Sequence, residues 1–372
     1  MIYFDSAASY PILPEALDAL NTGFTNSANP SSSHTAGETA AKDIEIAREL
    51  IADAISALPS EIVFTSGATE ANNLALKSHF DEPINKHKRH LVISAIEHKC
   101  IHAIADYLQR KMGVAISIAR PNEQGIITPE SVKNLLQHDT SLVSVMHVNN
   151  ELGTKNPIDQ IGALCFERGI KFHSDAAQSF LKAPIDVDKM NLDYLSISAH
   201  KVGGPKGIGA LYIREQRRRN IEPVIHGAGQ EEGLRGGTLP APLIGSFGKA
   251  VEIFPSVYKQ LLEADLKNAL LKTIDELGIP HTVNGYNAIG SMLSLTLPTC
   301  DIPALLRETG NQFALATGSA CSSKEVEASH VLTALGLDRE LAGNTLRVSF
   351  HHSMDKSDIN KLAIQLKKFT NH

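Results

Sequence analysis

The chain has no tryptophan, only four cysteines and only 5% aromatic residues among its 372 positions. Cys100, Cys165, Cys300 and Cys321 lie far apart and form no CxxC pair, which argues against a disulfide framework and against a zinc site; no metal is expected. No apolar run approaches the roughly 18 residues of a membrane span. The opening stretch MIYFDSAASYP has neither the basic nor the apolar region of a secretory signal. A protein of the reducing cytoplasm without membrane contact is therefore expected. The formal charge of −6 gives no general pull toward nucleic acid. The basic runs at 86–90 and 217–219 lack interleaved aromatics and read as solvated loops, so no direct nucleic-acid binding is expected. The lysine and glycine spacing of a P-loop is also missing, which disfavours a nucleotide triphosphatase.

What is present describes a globular protein, with 42% hydrophobic and 20% charged residues and a length that favours two domains. Apolar runs at Leu91–Ile96, Val114–Ala119, Leu142–Val148, Ile170–Phe172 and Tyr194–Ser198 alternate with helical patterns or turn signals. That alternation predicts an α/β fold with a mostly parallel sheet. Beyond about Ser256 the pattern changes to a smaller α+β unit. Its helices are expected at Val257–Leu277 and Lys356–Lys368, and its strands at Ser291–Leu297, Phe313–Ala316 and Leu346–Phe350. The resulting division is a large domain over 13–255 and a small one made of 1–12 and 256–372.

Chemistry concentrates at the ends of the strands. The run YLSISAHKVGGPKGIG delivers Lys201 at the end of a buried strand and then breaks into glycine turns. Open α/β sheets bind ligands at that edge, and a lysine there can shed its proton and become a nucleophilic amine. Asp175 ends the preceding apolar run, and EIVFTSGATEANN reads as strand, glycine turn and helix start. The amides of Ala68 and Thr69 would open that helix, where anions bind. A Schiff-base lysine, a carboxylate for a pyridinium nitrogen and a helix N-terminus for a phosphate are the three holds that pyridoxal 5'-phosphate requires. His98 lies close to Cys100 and His102, and is read as a ring laid on a flat cofactor or as a satisfied structural histidine. Arg347, inside an apolar strand, serves either a substrate carboxylate or a structural salt bridge. Cys321 differs from the other cysteines because ATGSACSS surrounds it with small, polar residues that leave its sulfur accessible.

Taken together, FTSGATEANN, EHK, HVNNELG, SDAAQS, SAHKVGGPKGIGALY, GLRGGTLP and ATGSACSS resemble the pyridoxal-phosphate cysteine desulfurases of the fold-type-I, class V aminotransferase group, in the subgroup with a long cysteine loop. The resemblance runs nearly end to end. It implies a seven-stranded, mostly parallel sheet in the large domain and a small α+β domain that carries the cysteine loop. It further implies that Lys201 holds the cofactor aldehyde, Asp175 the pyridine nitrogen and Gln178 the ring hydroxyl. His98 would stack on the ring, while Thr69, Ser198 and His200 would hold the phosphate. Thr238 would reach the phosphate of a second subunit, which implies a homodimer. Asn150 and Arg347 would bind the carboxylate of L-cysteine. Lys201 would move the Cα proton, and Cys321 would take the sulfur as a persulfide for an acceptor protein in iron–sulfur assembly, tRNA thiolation or DNA phosphorothioation. Selenocysteine lyases and transaminases share these cofactor holds, and an idle scaffold for acceptor partners would need neither Lys201 nor Cys321. The chain departs from the pattern at Ser6, Ser9 and Tyr10, at Glu232, where an arginine is common, and at Ala328, where a proline is common.

Overall fold

The computed structural model describes residues 1–82, 85, 87–218, 221–317, 319–320 and 327–370. Lys86, Arg219 and Cys321, named above, lie outside them. A seven-stranded sheet forms the centre, in the spatial order Ile62–Thr65, Gly209–Ile213, Tyr194–Ser198, Lys171–Asp175, Thr140–Ser144, His90–Ser94 and Ala115–Ala119. Gly209–Ile213 runs antiparallel to both of its neighbours, and the remaining pairs are parallel.

The inner strands are buried along their whole length, and their sequences TSLVS, YLSIS and GALYI combine apolar side chains with buried hydroxyls. Successive residues point to opposite sides. Val92, Val143 and Leu195 enter one hydrophobic cluster together with the helices Thr35–Asp53, Ile158–Glu167 and Ala241–Ala264. Leu91, Leu142 and Tyr194 enter a second cluster, with the helices Ala68–Asp81 and Lys99–Met112. A polar row interrupts this core. The His173 ring bonds Ser144 Oγ at 2.8 Å and Ser196 Oγ at 3.1 Å, linking three strands. Burial drives its pKa down to about 3, so the ring is neutral and serves as both donor and acceptor.

A second, antiparallel sheet has the order Ala316–Thr317, Thr345–Ser349, Met292–Thr296 and Thr282–Asn284. The helices Leu266–Glu276 and Lys356–Lys368 pack on each other and bury Leu270, Ile274, Ile359 and Leu362. The N-terminal Ile2–Tyr3 pairs in parallel with Phe313–Ala314.

Two local expectations are corrected. The helix expected at Val257–Leu277 is two helices, Ala241–Ala264 and Leu266–Glu276, broken where Asp265 adopts left-handed backbone (φ 49°). A short polar residue tolerates that conformation, and its carboxylate accepts from Asn268 Nδ2 at 2.9 Å. The strand expected at Phe313–Ala316 divides at Leu315, because its two halves pair with different partners. The Thr35–Asp53 helix is capped by the His34 ring, which accepts from the Gly37 amide at 3.2 Å.

Gly209 marks the tightest packing near the strand ends. A Cβ there would stand 2.4 Å from the Ile197 carbonyl oxygen and 2.7 Å from Gly67 Cα. Gly245, inside the Ala241–Ala264 helix, has open space around it. Gly209→Ala should therefore lower unfolding stability by about 1–3 kcal/mol, while Gly245→Ala should raise it by about 0.5–1 kcal/mol. Urea unfolding of both variants checks the pair, and a Gly209→Ala midpoint at or above the parent's would contradict this packing.

Candidate active site

The site lies at the carboxyl ends of three adjacent strands. Asp175 ends Lys171–Asp175, Ser198 ends Tyr194–Ser198, and a short 3₁₀ turn Ala199–Lys201 carries the lysine over the sheet edge. Across the edge, Gly67 (φ 147°) turns the Ile62–Thr65 strand into the Ala68–Asp81 helix. No side chain caps that helix, so its first amides face the site. Ser198 closes on the turn, since a Cβ on Gly67 would stand 3.7 Å from its hydroxyl. Glu70, in the first helical turn, would repel an anion if left bare. Burial acts to raise its pKa, but the Arg235 guanidinium at 2.9 Å and Ser66 outweigh burial and hold the carboxyl below its ordinary range.

Among the described residues, Lys201 has no carboxylate partner. Its Nζ donates to the carbonyls of Ala7 at 2.7 Å and Ala8 at 2.9 Å, so the N-terminal segment covers it. Burial depresses its pKa to about 8; Arg347 depresses it further, and Asp175 and Asp5 oppose. Asp175 is 4% exposed, with one oxygen accepting from Asn72 Nδ2 at 2.8 Å and the other from the Ala177 amide at 2.9 Å. Gln178 Nε2 donates to the Ala7 carbonyl at 2.7 Å, so the amide and the lysine share one acceptor.

His98 caps the Lys99–Met112 helix, its Nδ1 accepting from the Cys100 amide at 3.2 Å. Burial lowers its pKa, with Lys201 adding to the effect and Asp175 opposing it. The three sulfur and imidazole groups of that turn point to different partners. Cys100 Sγ accepts from Asn72 at 3.3 Å, and the His102 ring packs edge-on to His330 at 5.1 Å. His200 Nδ1 lies 3.3 Å from Ser9 Oγ, and its pKa falls to about 4 through burial and the charge of Lys201. Thr69 and Thr238 are exposed.

Arg347 makes the salt bridge that its sequence left open. Its Nη2 meets Asp5 Oδ1 at 2.7 Å and its Nη1 meets the Asn150 carbonyl at 2.9 Å. Its Nε and the Asn150 side-chain oxygen are both buried without a hydrogen-bond partner. A donor and an acceptor left in this state next to a buried amine are polar capacity reserved for a ligand. Four residues join the site without having been assigned roles from sequence: Asp5, Asn72, Glu97 and Lys182. Glu97 follows a strand end, as Asp175 does. Burial drives its pKa to about 8, the Met146 amide opposes at 2.7 Å, and Asp175 adds to the rise, so it is a neutral acid at pH 7. The only signal for Asn72 was its place four residues after Ala68, on the same helical face.

These residues fit pyridoxal phosphate by their chemistry. They offer an amine poised near neutrality, a fixed carboxylate, uncapped helix amides beside a serine hydroxyl, and spare polar atoms for an amino acid. A cavity of about 950 Å³ lined by Tyr3, Tyr10, Leu20, Phe24, Leu243 and Met354 contains none of these groups. The chain belongs to the class-V aminotransferase family, which its residues 2–362 match. The mitosomal cysteine desulfurase of Trachipleistophora hominis is 41% identical over 98% of this chain and 85% of its own. The solved structure of SspA in complex with cysteine is 43% identical with TM-score 0.85, covering 94% of this chain and 99% of that one. A NifS-like protein is 31% identical with TM-score 0.90, over 99% of this chain and 98% of the other.

Because burial disfavours the charged amine, the neutral, nucleophilic form of Lys201 should prevail above pH about 8, instead of above its ordinary 10.5. The rate at which the protein forms a Schiff base with an added aldehyde should rise with pH and level off just above that value. Arg347→Met removes a charge that lowers this pKa, so its midpoint should move upward. A midpoint higher by about half a pH unit would slow the reaction about threefold at pH 7.5. A midpoint near 10.5 in the parent, or a downward move in the variant, would contradict this electrostatic assignment.

Proposed function

We propose that the protein is a pyridoxal-phosphate-dependent cysteine desulfurase, converting L-cysteine to L-alanine and passing the sulfur onward. The observation that carries the reading is the Lys201 amine, buried at a strand end without a counter-carboxylate beside the anchored Asp175. The class-V aminotransferase match and the cysteine desulfurase relatives support it. When bound, the cofactor supplies an electron sink for charge at the amino acid's Cα.

The chain's own residues supply the rest. Lys201 holds the cofactor and, once displaced by substrate, accepts the Cα proton at Nζ, as suits an amine with a pKa near 8. Asp175 would face the pyridine nitrogen of the bound cofactor, and His98 would cover its ring. Ser198, His200, Thr69 and the Ala68 amide hold the phosphate. The spare Nε of Arg347 and the amide nitrogen of Asn150 would donate to the substrate carboxylate, and the spare Asn150 oxygen is free to accept from the substrate's amino group. Cys321 is the sulfur acceptor. Its Sγ–S bond forms as the Cβ–S bond of the substrate breaks, the electron pair stays on carbon, and protonation releases L-alanine. An unperturbed thiol is only a few per cent ionised near neutrality, so His98, whose pKa is lowered, is placed as its base. The persulfide passes to an acceptor protein, in a reducing compartment that keeps Cys321 a thiol; the cytoplasm is our assignment. The exposed Thr238 is assigned to the phosphate of a second subunit in a homodimer.

Cys321→Ser should keep the visible absorbance of the bound cofactor while forming no persulfide and releasing no alanine from L-cysteine. Alanine release at the parental rate would remove Cys321 from the mechanism. A parent that stays colourless with pyridoxal phosphate would remove the cofactor.

A further inference from the structure

Asn72 is fully buried and sits on the helix whose N-terminus opens the site. Its Nδ2 donates to Asp175 Oδ2 at 2.8 Å and to Cys100 Sγ at 3.3 Å, while its Oδ1 is buried with no hydrogen-bond partner. Only one orientation of the amide is acceptable. Turning it over would set an acceptor oxygen against a carboxylate that can only accept. The unpartnered oxygen is thus tolerated for the sake of the contact to Asp175.

We propose that Asn72 is a positioning residue that fixes the Oδ2 oxygen of Asp175 and sets the distance of that carboxylate from the phosphate end of the site. The proposal rests on the pyridoxal-phosphate reading above. Asp175 has two other constraints, the Ala177 amide on Oδ1 and the backbone of its own strand, and neither fixes Oδ2. Asn72 does, and it lies one helical turn beyond the uncapped amides at Ala68. One rigid helix therefore carries the anion-binding turn at its start and the tether for the carboxylate a turn later. The charged and titratable groups facing Asp175 are Lys201 and His98, with Glu97 and Cys100 behind. Burial pushes the Cys100 thiol up to about 12, with Asp175 adding to the rise, so the thiol stays protonated and brings no second negative charge. Asn72, neutral and donating, is the group on the helix side that orients the Asp175 carboxylate.

The test loads the protein with pyridoxal phosphate labelled with ¹⁵N in its ring and reads the protonation state of the ring nitrogen by NMR. In the parent the signal should be that of a protonated ring. Asn72→Asp, which keeps the shape, places two carboxylates within hydrogen-bond distance. The pair should then share a proton, and the signal should move toward the neutral ring. Asn72→Ala should release the cofactor about tenfold faster, as expected for losing a hydrogen bond to a charged group. Cys100→Ala removes the thiol contact alone and should leave the signal in place. A protonated-ring signal in both Asn72 variants, with release no faster than in the parent, would overturn the proposal while leaving the cofactor reading intact. A parent that binds no labelled cofactor would take both down.

Discussion

The fold turns on a buried amine that has no ion-pair partner. A lysine in that position is stable only where carbonyl oxygens satisfy its hydrogens and where its charge can be given up. Ala7 and Ala8 supply the oxygens, which forces the first ten residues to lie across the ends of the central strands. The same segment is fastened on its other side. Ser6 Oγ donates to the Phe350 carbonyl at 2.8 Å, the Ala7 amide to Ser349 Oγ at 2.9 Å, and Asp5 pairs with Arg347. The strap that covers Lys201 is thereby the strap that joins the second sheet to the first. Chemistry and architecture use the same few hydrogen bonds.

The charges around the lysine are balanced so that the amine is poised and not simply neutralised. Arg347 lowers its pKa, while Asp175 and Asp5 raise it. Glu97 would tip that balance if ionised, yet its burial keeps it protonated at neutral pH. Lys182 behaves similarly on the far side of Gln178. Its amine is 3.4 Å from Gln178 Oε1, and burial together with the Lys201 charge brings its pKa to about 7. With this amine donating to Oε1, the Gln178 nitrogen turns toward the Ala7 carbonyl and its oxygen away. Two of the charges that would disturb the site are thus held near or below half ionisation by burial rather than by pairing.

Much of this was legible in the sequence because the site is built from strand ends. An apolar run signals a buried strand, and the polar residues that follow it mark the sheet edge; Asp175 and Lys201 are legible that way, while Ser198 enters through the family resemblance. The Tyr194–Ser198 strand has the limits its residues implied, and the others differ by a few residues where polar groups are buried inside the sheet, as at His173 and Ser144. What sequence could not supply was direction. Arg347 in an apolar strand needs an anion, but no pattern says that Asp5, 342 positions away, provides it. Asn72 is an ordinary helical residue until the fold turns its amide onto Asp175. The division of the Phe313–Ala316 run reflects two different partners, which local propensity does not encode.

Ser319–Ala320 pairs antiparallel with Glu327–Ala328. Immediately after, Ser329 caps the helix His330–Ala334, and its hydroxyl also meets the Glu151 carboxylate that follows Asn150. His330 Nε2 lies 2.8 Å from the carbonyl oxygen of Glu97, and its ring packs on His102. Glu97 and Asn150 belong to the same strand-end cluster as Asp175. Ser329 and His330 thus tie the helix His330–Ala334 to the strand-end residues Glu151 and Glu97, so contacts between side chains and backbone from separate elements hold this part of the second unit against the ends of the central strands.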